Sequence, residues 1–456
     1  MSQKIDRRNF LKTGLAAGGG LVLGTSMLSS CSQLGLRGAV PPAYPMRPLE
    51  EVRIGFIGVG GMGSAHVENL MNIPGAKIVA VCDIVPEKVE RIQQWHKDKG
   101  MMVPEGYSRS ETDYKRLCQR DDLDLVYIAT PWEWHVPMCV DAMEAGKHAA
   151  VEVPAARTIE ESWQLVDTSE KTRKHCIMME NCNYDKVEMM ILNMVFQGVF
   201  GELVHARCGY LHDLREIKFS NEGEGLWRRK YSVTRNGDIY PTHGLGPVAQ
   251  CLEINRGNYF EYLESMSTKS RGLHEWAVKF FGKDSPEAKE QFKLGDVVVS
   301  MLKTFRGETV VLTHDTNLPR PYSRDIYVQG TNGVIRKYPK PLIHIEGRSP
   351  HHGWEEIDSW MESYEHPLWV KMRTEMEGAA GHGGMDYLED FRLVRALRLG
   401  VEPDMDVYDA AMMSAVTDLS EKSIARKGKP MAFPDFTRGM WKKERQLPVM
   451  RFDQLI

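Results

Sequence analysis

The run Gly58-Val59-Gly60-Gly61-Met62-Gly63 falls between a short apolar segment, Val52–Ile57, and a helical pattern opening at Ser64. Glycines at this spacing have a mechanical meaning. Gly58 permits a tight turn, Gly60 lets a ligand's phosphates approach the backbone, and Gly63 permits close packing of helix on strand. A pyrophosphate then rests at the positive end of the helix dipole. With strand before and helix after, the run constrains the ordered chain to begin as a βαβ unit. Asp83 closes the next apolar segment, 77–82, twenty residues beyond Gly63. A carboxylate there accepts from both ribose hydroxyls and repels a 2′-phosphate, which favours NAD over NADP.

The alternation continues through an amphipathic helical pattern at 86–96 and apolar segments at 123–129, 148–153 and 176–179. The helix 159–172 starts behind a capping-box pair, Thr158 and Glu161. This order predicts an α/β fold, with a Rossmann-type parallel-sheet domain over 51–180. Beyond Glu180 the texture changes. Longer strand-like segments at 203–210, 261–268, 296–305, 309–313 and 326–329 follow, with few helices between them. They predict a C-terminal α+β domain over 181–456 with a mainly antiparallel open sheet. Late helical patterns at 387–399 and 407–426 are expected to brace the first domain.

The N-terminus has a different character. Arg7-Arg8-Asn9-Phe10-Leu11-Lys12 is a twin-arginine pattern, and the Gly-rich apolar stretch at 13–27 is too short to span a bilayer. Leu28-Ser29-Ser30-Cys31 resembles a lipobox. Residues 1–31 therefore read as an export signal with Cys31 as lipid acceptor, and the Gly/Pro-rich 32–50 as a linker. The expected destination is the periplasm or cell envelope, with membrane contact only through that lipid. The twin-arginine route carries proteins that have folded, often around a cofactor. A net charge of −4 without a basic run excludes nucleic acid as a partner. The other cysteines (Cys82, Cys118, Cys139, Cys176, Cys182, Cys208 and Cys251) lack regular spacing and read as buried thiols. His351, His352 and His382 have no matching ligand spacing, so no metal is expected. A homo-oligomer stays open.

In an open parallel sheet, ligands bind beyond the carboxyl ends of the strands. Trp132, Glu133, Trp134 and His135, just past the segment 123–129, are therefore expected to wall the nicotinamide half of a cofactor cleft. With Ala129-Thr130-Pro131 and Glu152-Val153-Pro154, this half resembles the sugar oxidoreductases typified by glucose–fructose oxidoreductase and inositol dehydrogenase. Those enzymes usually carry Glu-Lys-Pro, whose lysine assists hydride transfer; here the position is Val153. They usually also carry Asp-x-Gly-x-His, where this chain has Ile239-Tyr240-Pro241-Thr242-His243.

The altered pattern is similar to glycoside hydrolase family 109, the NAD-dependent N-acetylgalactosaminidases, over essentially the whole mature chain. Specific stretches include Pro131-Trp132-Glu133-Trp134-His135, Glu180-Asn181-Cys182-Asn183-Tyr184, Tyr240-Pro241-Thr242-His243-Gly244 and Gly381-His382-Gly383-Gly384-Met385-Asp386-Tyr387. A departure is Gly61-Met62, where Leu-Arg is common in that family. The resemblance implies release of terminal N-acetylgalactosamine from glycans by a tightly bound NAD that is not consumed. The sugar is oxidised at C3, deprotonated at C2, loses its C1 substituent, takes up water and is reduced again. Ordinary glycosidases instead flank the bond with two carboxylates.

The same resemblance assigns roles. His243 takes the C3 hydroxyl proton, Tyr184 handles the C2 proton through a lowered phenol pKa, and Glu152 orients the sugar or serves as acid/base at the leaving oxygen. Cofactor contacts fall on Gly58, Gly60, Met62, Gly63, Asp83, Trp132, Glu133, Trp134, His135, Glu152, Val153, Asn181 and Tyr240. Substrate contacts fall on Tyr210, Arg228, Tyr240, Pro241, Thr242, His243 and Tyr322; which of Arg228 and Arg229 is solvated stays open. Two alternatives are a net sugar dehydrogenase that releases NADH and a non-catalytic, lipid-tethered sugar-binding protein.

Overall fold

The structure, a computed structural model, describes residues 46–379 and 381–454; the signal, Cys31 and most of the linker lie outside the described residues. Strands β1 (Val52–Ile57), β2 (Ala76–Cys82), β3 (Glu105–Tyr107), β4 (Leu125–Ile128), β5 (His148–Glu152) and β6 (Cys176–Met179) pair in parallel. Their order is β3-β2-β1-β4-β5-β6. Every residue of β4 and β6 is buried, as a parallel sheet covered by helices on both faces requires. Strand order reverses between β1 and β4, and the crevice at that reversal is where such sheets bind ligands. The edge strand β3 is absent from the sequence reading: three residues, two of them exposed, carry no apolar alternation.

Thr158 caps the helix Ile159–Thr172 by accepting from Glu161 N at 3.1 Å. The expected box is only half formed. Glu161 reaches one residue further back, to the Arg157 N–H at 2.7 Å, because it also pairs with the Arg157 guanidinium.

The second sheet has nine strands. They are β7 (Leu203–Leu211), β8 (Phe260–Ser267), β9 (Val297–Thr304), β10 (Thr309–Asp315), β11 (Tyr327–Gly330), β12 (Gly333–Arg336), β13 (Leu342–Ile345), β14 (Glu355–Glu356) and β15 (Met431–Ala432), ordered β14-β13-β12-β11-β7-β10-β9-β8-β15. Pairing is antiparallel except between β7 and β10. β9 alternates buried and open positions, so one face of the sheet carries the core. The short meander β12–β14 and the two-residue β15 were not legible, and helices such as Gly225–Thr234 and Gly272–Phe281 interrupt this half more than expected.

Three helices position the site. Thr242–Cys251 lies directly on β7; a Cβ on Gly244 would fall 2.3 Å from Gly209 N, so only glycine allows this approach. Met385–Leu399 packs on Gly61–Leu70, the helix behind the glycine loop. Val407–Ala425 packs on Ile159–Thr172 and β8. Cys82, Cys118, Cys139, Cys176, Cys182, Cys208 and Cys251 are buried and free. Among the described residues, no helix is long and apolar enough to cross a membrane.

Candidate active site

The cradle forms where β1 turns into its helix. Gly58 has φ +87°, a left-handed conformation, and its Cβ would sit 2.5 Å from Ala129 O. A Cβ on Gly63 would sit 2.0 Å from Gly58 O, so helix and loop touch there. Gly60 and Gly61 face open space instead, with nothing within 4 Å. No side chain caps the helix start, which leaves its first N–H groups for an external acceptor. This suits a pyrophosphate.

Asp83, at the end of β2, accepts from Val59 N and Val85 N, each at 3.0 Å, which fixes its carboxylate beside the loop. Arg91 Nη2 donates to Val59 O at 2.8 Å and Ser64 Oγ at 2.7 Å. It brings a guanidinium to a loop whose Met62 supplies none.

A second cluster forms beyond β6 and at the start of the helix Thr242–Cys251. His243 Nδ1 donates to Glu180 Oε1 at 2.7 Å, and Glu180 is fully buried. That bond leaves Nε2 as the accepting nitrogen, to which Tyr240 Oη donates at 3.4 Å. Burial works against the Glu180 charge, but the His243 contact and the Cys182 N–H hold its carboxyl below the ordinary range. The pairing replaces one the sequence lacks, since Ile239 occupies the acidic position of the dehydrogenase pattern.

Aromatic rings close around this dyad. Tyr210 lies 4.6 Å from Tyr240 and 5.4 Å from His243, ring centre to ring centre, and Tyr322 lies 6.3 Å from Tyr210. Trp132 stacks on Tyr240 at 5.6 Å. The buried Arg228 guanidinium sits 5.1 Å from the Trp132 ring and 5.0 Å from that of Tyr240, while Arg229 turns away to Glu290. Burial pushes the Tyr210 phenol up to about 12, and raises those of Tyr240 and Tyr322 as well. At neutral pH all three are hydrogen-bond donors. Pro241 and Thr242 are buried at the helix start.

Several expected residues point elsewhere. Tyr184 requires a correction. The 3-10 turn Asn181–Tyr184 carries its ring inward, where Oη donates to Asp404 at 2.9 Å. Burial and then the Asp404 charge raise its phenol well above the usual value, the opposite of what a C2 base needs. Glu133 is bound to Lys230 and to Tyr231 Oη at 2.7 Å. Trp134 packs edge-on to Tyr114, and His135 spends both ring nitrogens on Thr130 O and Pro154 O, each at 2.8 Å. These three side chains build the wall from behind. Val153 is buried, and Asn181 donates to Asp386 at 2.6 Å.

Glu152, at the end of β5, accepts from His66 Nε2 at 2.7 Å, and its charge is felt at Tyr240 and His382. Glu180 and His66 received no role from the sequence. The signal available for Glu180 was its place at a strand's carboxyl end; for His66 there was none.

Glu180, Cys182 and His243 also offer potential metal-ligand atoms within 4.8 Å of one another, the only such group among the described residues. Glu180 Oε1 bonds both partners' N–H groups, and burial raises the Cys182 thiol well above its ordinary value. Hydrogen bonding accounts for this cluster without an ion.

Comparison with known proteins agrees with this geometry. Residues 52–180 match the oxidoreductase family with an NAD-binding Rossmann fold, so the cradle is an NAD site, and residues 4–24 match a twin-arginine translocation signal. Among solved structures, a levoglucosan dehydrogenase with NADH and L-sorbose superposes with TM-score 0.66 at 18% identity, covering 85% of this chain and all of that one. An inositol dehydrogenase homologue with NAD+ from Azotobacter vinelandii gives 0.62 at 17%, covering 86% and 100%. Both share the fold. A glycosyl hydrolase family 109 protein of Solibacter usitatus is 46% identical over 96% of this chain and 98% of its own. A Shewanella oneidensis protein named alpha-N-acetylgalactosaminidase is 43% identical over 98% and 99%. Residues 184–443 match the glycosyl hydrolase 109 C-terminal domain, and with relatives this similar along their whole length the chain belongs to glycosyl hydrolase family 109.

Proposed function

We propose that this protein is an exported, NAD-dependent glycosidase that releases terminal N-acetylgalactosamine by transient oxidation at C3. The observation that carries this reading is the His243–Glu180 dyad, set among phenols and a guanidinium beyond the strand ends of an NAD sheet. Such a group is built to take a proton from a sugar hydroxyl, not to flank a glycosidic bond with two carboxylates.

The glycine loop and Asp83 would hold NAD, which would supply the acceptor for the C3 hydride and return it, so the cofactor would not be consumed. His243 Nε2 accepts the C3 hydroxyl proton, and Glu180 stabilises the imidazolium that forms. The resulting ketone acidifies C2–H. With Tyr184 committed to Asp404, Glu152 is the carboxylate left to accept the C2 proton, which it delivers to the leaving C1 oxygen; water then adds at C1 and its proton returns through Glu152 to C2, which restores the saturated C3 ketone. Tyr240, Tyr210 and Arg228 donate to sugar oxygens, and Tyr322 closes the pocket. Asp83 holds the adenosine ribose. A lipid on Cys31 tethers the exported protein to the cell envelope.

An aryl α-N-acetylgalactosaminide tests this directly. Release of the aryl alcohol without accumulation of NADH, and deuterium at C2 of the sugar formed in deuterated water, are expected. Stoichiometric NADH would instead identify a net sugar dehydrogenase, and absence of turnover a binding protein.

A further inference from the structure

We infer that His66 is a positioning residue for catalysis, clamping the carboxylate of Glu152 from behind through a buried chain Asp390–His66–Glu152. The inference rests on the proposed role of Glu152 as the group that accepts the C2 proton.

The geometry is specific. His66 Nε2 lies 2.7 Å from Glu152 Oε1, while Nδ1 lies 3.0 and 2.9 Å from the two oxygens of Asp390. His66 is 1% exposed and Asp390 not at all. Both ring nitrogens face carboxylate oxygens, which only accept, so the ring satisfies both neighbours only when each nitrogen carries a proton. Tyr127 Oη and Asn69 Nδ2 also donate to Asp390, at 3.2 and 3.4 Å. Those donors and the His66 ring oppose burial, which is the larger influence and raises the Asp390 carboxyl above its ordinary value. Burial disfavours a charged imidazole, but Asp390 and Glu152 outweigh it and raise its pKa well above the ordinary value. Glu389, Asp386 and His382 also face this group; burial raises the Glu389 carboxyl well above the carboxylate range, and Asp386 pairs with His382.

The consequence falls on Glu152. One of its oxygens is held by a cation, whereas the other lies 3.3 Å from its own chain at Val153 N and the side chain keeps 16% of its surface open. A carboxylate fixed this way, with Oε1 on His66 and Oε2 accepting from Val153 N, presents Oε2 in one orientation with a lone pair left to take a proton. With its ring buried and both nitrogens engaged by Asp390 and Glu152, His66 acts through Glu152.

The test compares the wild-type protein with His66→Gln and Asp390→Asn. Bound NAD released by acid, kcat and KM on an aryl glycoside, and the near-ultraviolet absorbance of reduced nicotinamide during turnover are measured. The expected result is a fall in kcat of about 100-fold, the scale of acid–base assistance, with KM and NAD content close to wild type. The steady-state fraction of reduced cofactor should rise, because oxidation at C3 proceeds while C2 deprotonation is slowed. Unchanged kcat in both variants overturns the inference. So does a loss of activity that only tracks lost NAD or lost folded protein, which marks a structural role. If the wild type itself cleaves no glycoside, the proposed function fails instead, a result separate from either variant's.

Discussion

Replacing Glu180 by glutamine changes one charge and almost no volume. In the wild type, the carboxylate faces the His243 ring nitrogen at 2.7 Å, deep in the protein. When His243 accepts the hydroxyl proton, an imidazolium forms about 4 Å from that charge. At an effective dielectric constant of 20 their attraction is about 4 kcal/mol. Glutamine can still accept through its carbonyl, and a neutral hydrogen bond retains roughly half the strength of a charged one. The net loss is then about 2 kcal/mol at the transition state, or about 30-fold in rate. Aryl-glycoside turnover at saturating substrate reads this as kcat, with NAD content measured alongside as the control for folding. A Glu180→Gln protein that binds NAD normally and turns over at the wild-type rate would refute the claim that the dyad does the proton chemistry.

Other expectations follow from the same contacts. Tyr184→Phe removes the bond to Asp404 and should cost about 1 kcal/mol in urea unfolding while leaving kcat within about twofold; a hundredfold fall in kcat would return Tyr184 to the chemistry. Gly60→Ala should keep the wild-type Tm yet lose NAD, because its Cβ meets only space meant for the ligand, whereas Gly63→Ala should lose folded protein outright. Equal behaviour of the two would contradict the cradle. Burial works against ionised Asp386, but hydrogen bonding to His382 and the nearby His66 hold its carboxyl down to about 2. A depressed native pKa adds stability above the unfolded value near 4 and loses it as pH falls toward 2. The acid unfolding of Asp386→Asn should accordingly show a shallower loss over that interval, by about 2 kcal/mol.

Sequence legibility followed the range of the interaction. The glycine loop, the strand before it and the carboxylate after β2 are local patterns, and the structure places them as the spacing requires. The strand-end rule likewise located Trp132, Glu152 and Asn181, yet not what their side chains do. Glu180 sits 63 residues before its partner, and His66 324 residues before Asp390; no periodicity links such pairs. Tyr184 was misplaced because one 3-10 turn, invisible in composition, rotates it from the strand end into the core. The strands β3, β14 and β15 are too short to impose a pattern, and their pairing partners define them.

The helix behind the glycine loop leans on Met385–Leu399, a segment far downstream of it in the chain. A growing polypeptide therefore shapes the front of its dinucleotide cradle long before it owns the back. The cradle is complete only once this helix has docked, so a twin-arginine passenger, which crosses the membrane folded, would take up NAD on the cytoplasmic side. Truncation anywhere ahead of residue 385 should consequently yield a protein that retains no NAD when purified.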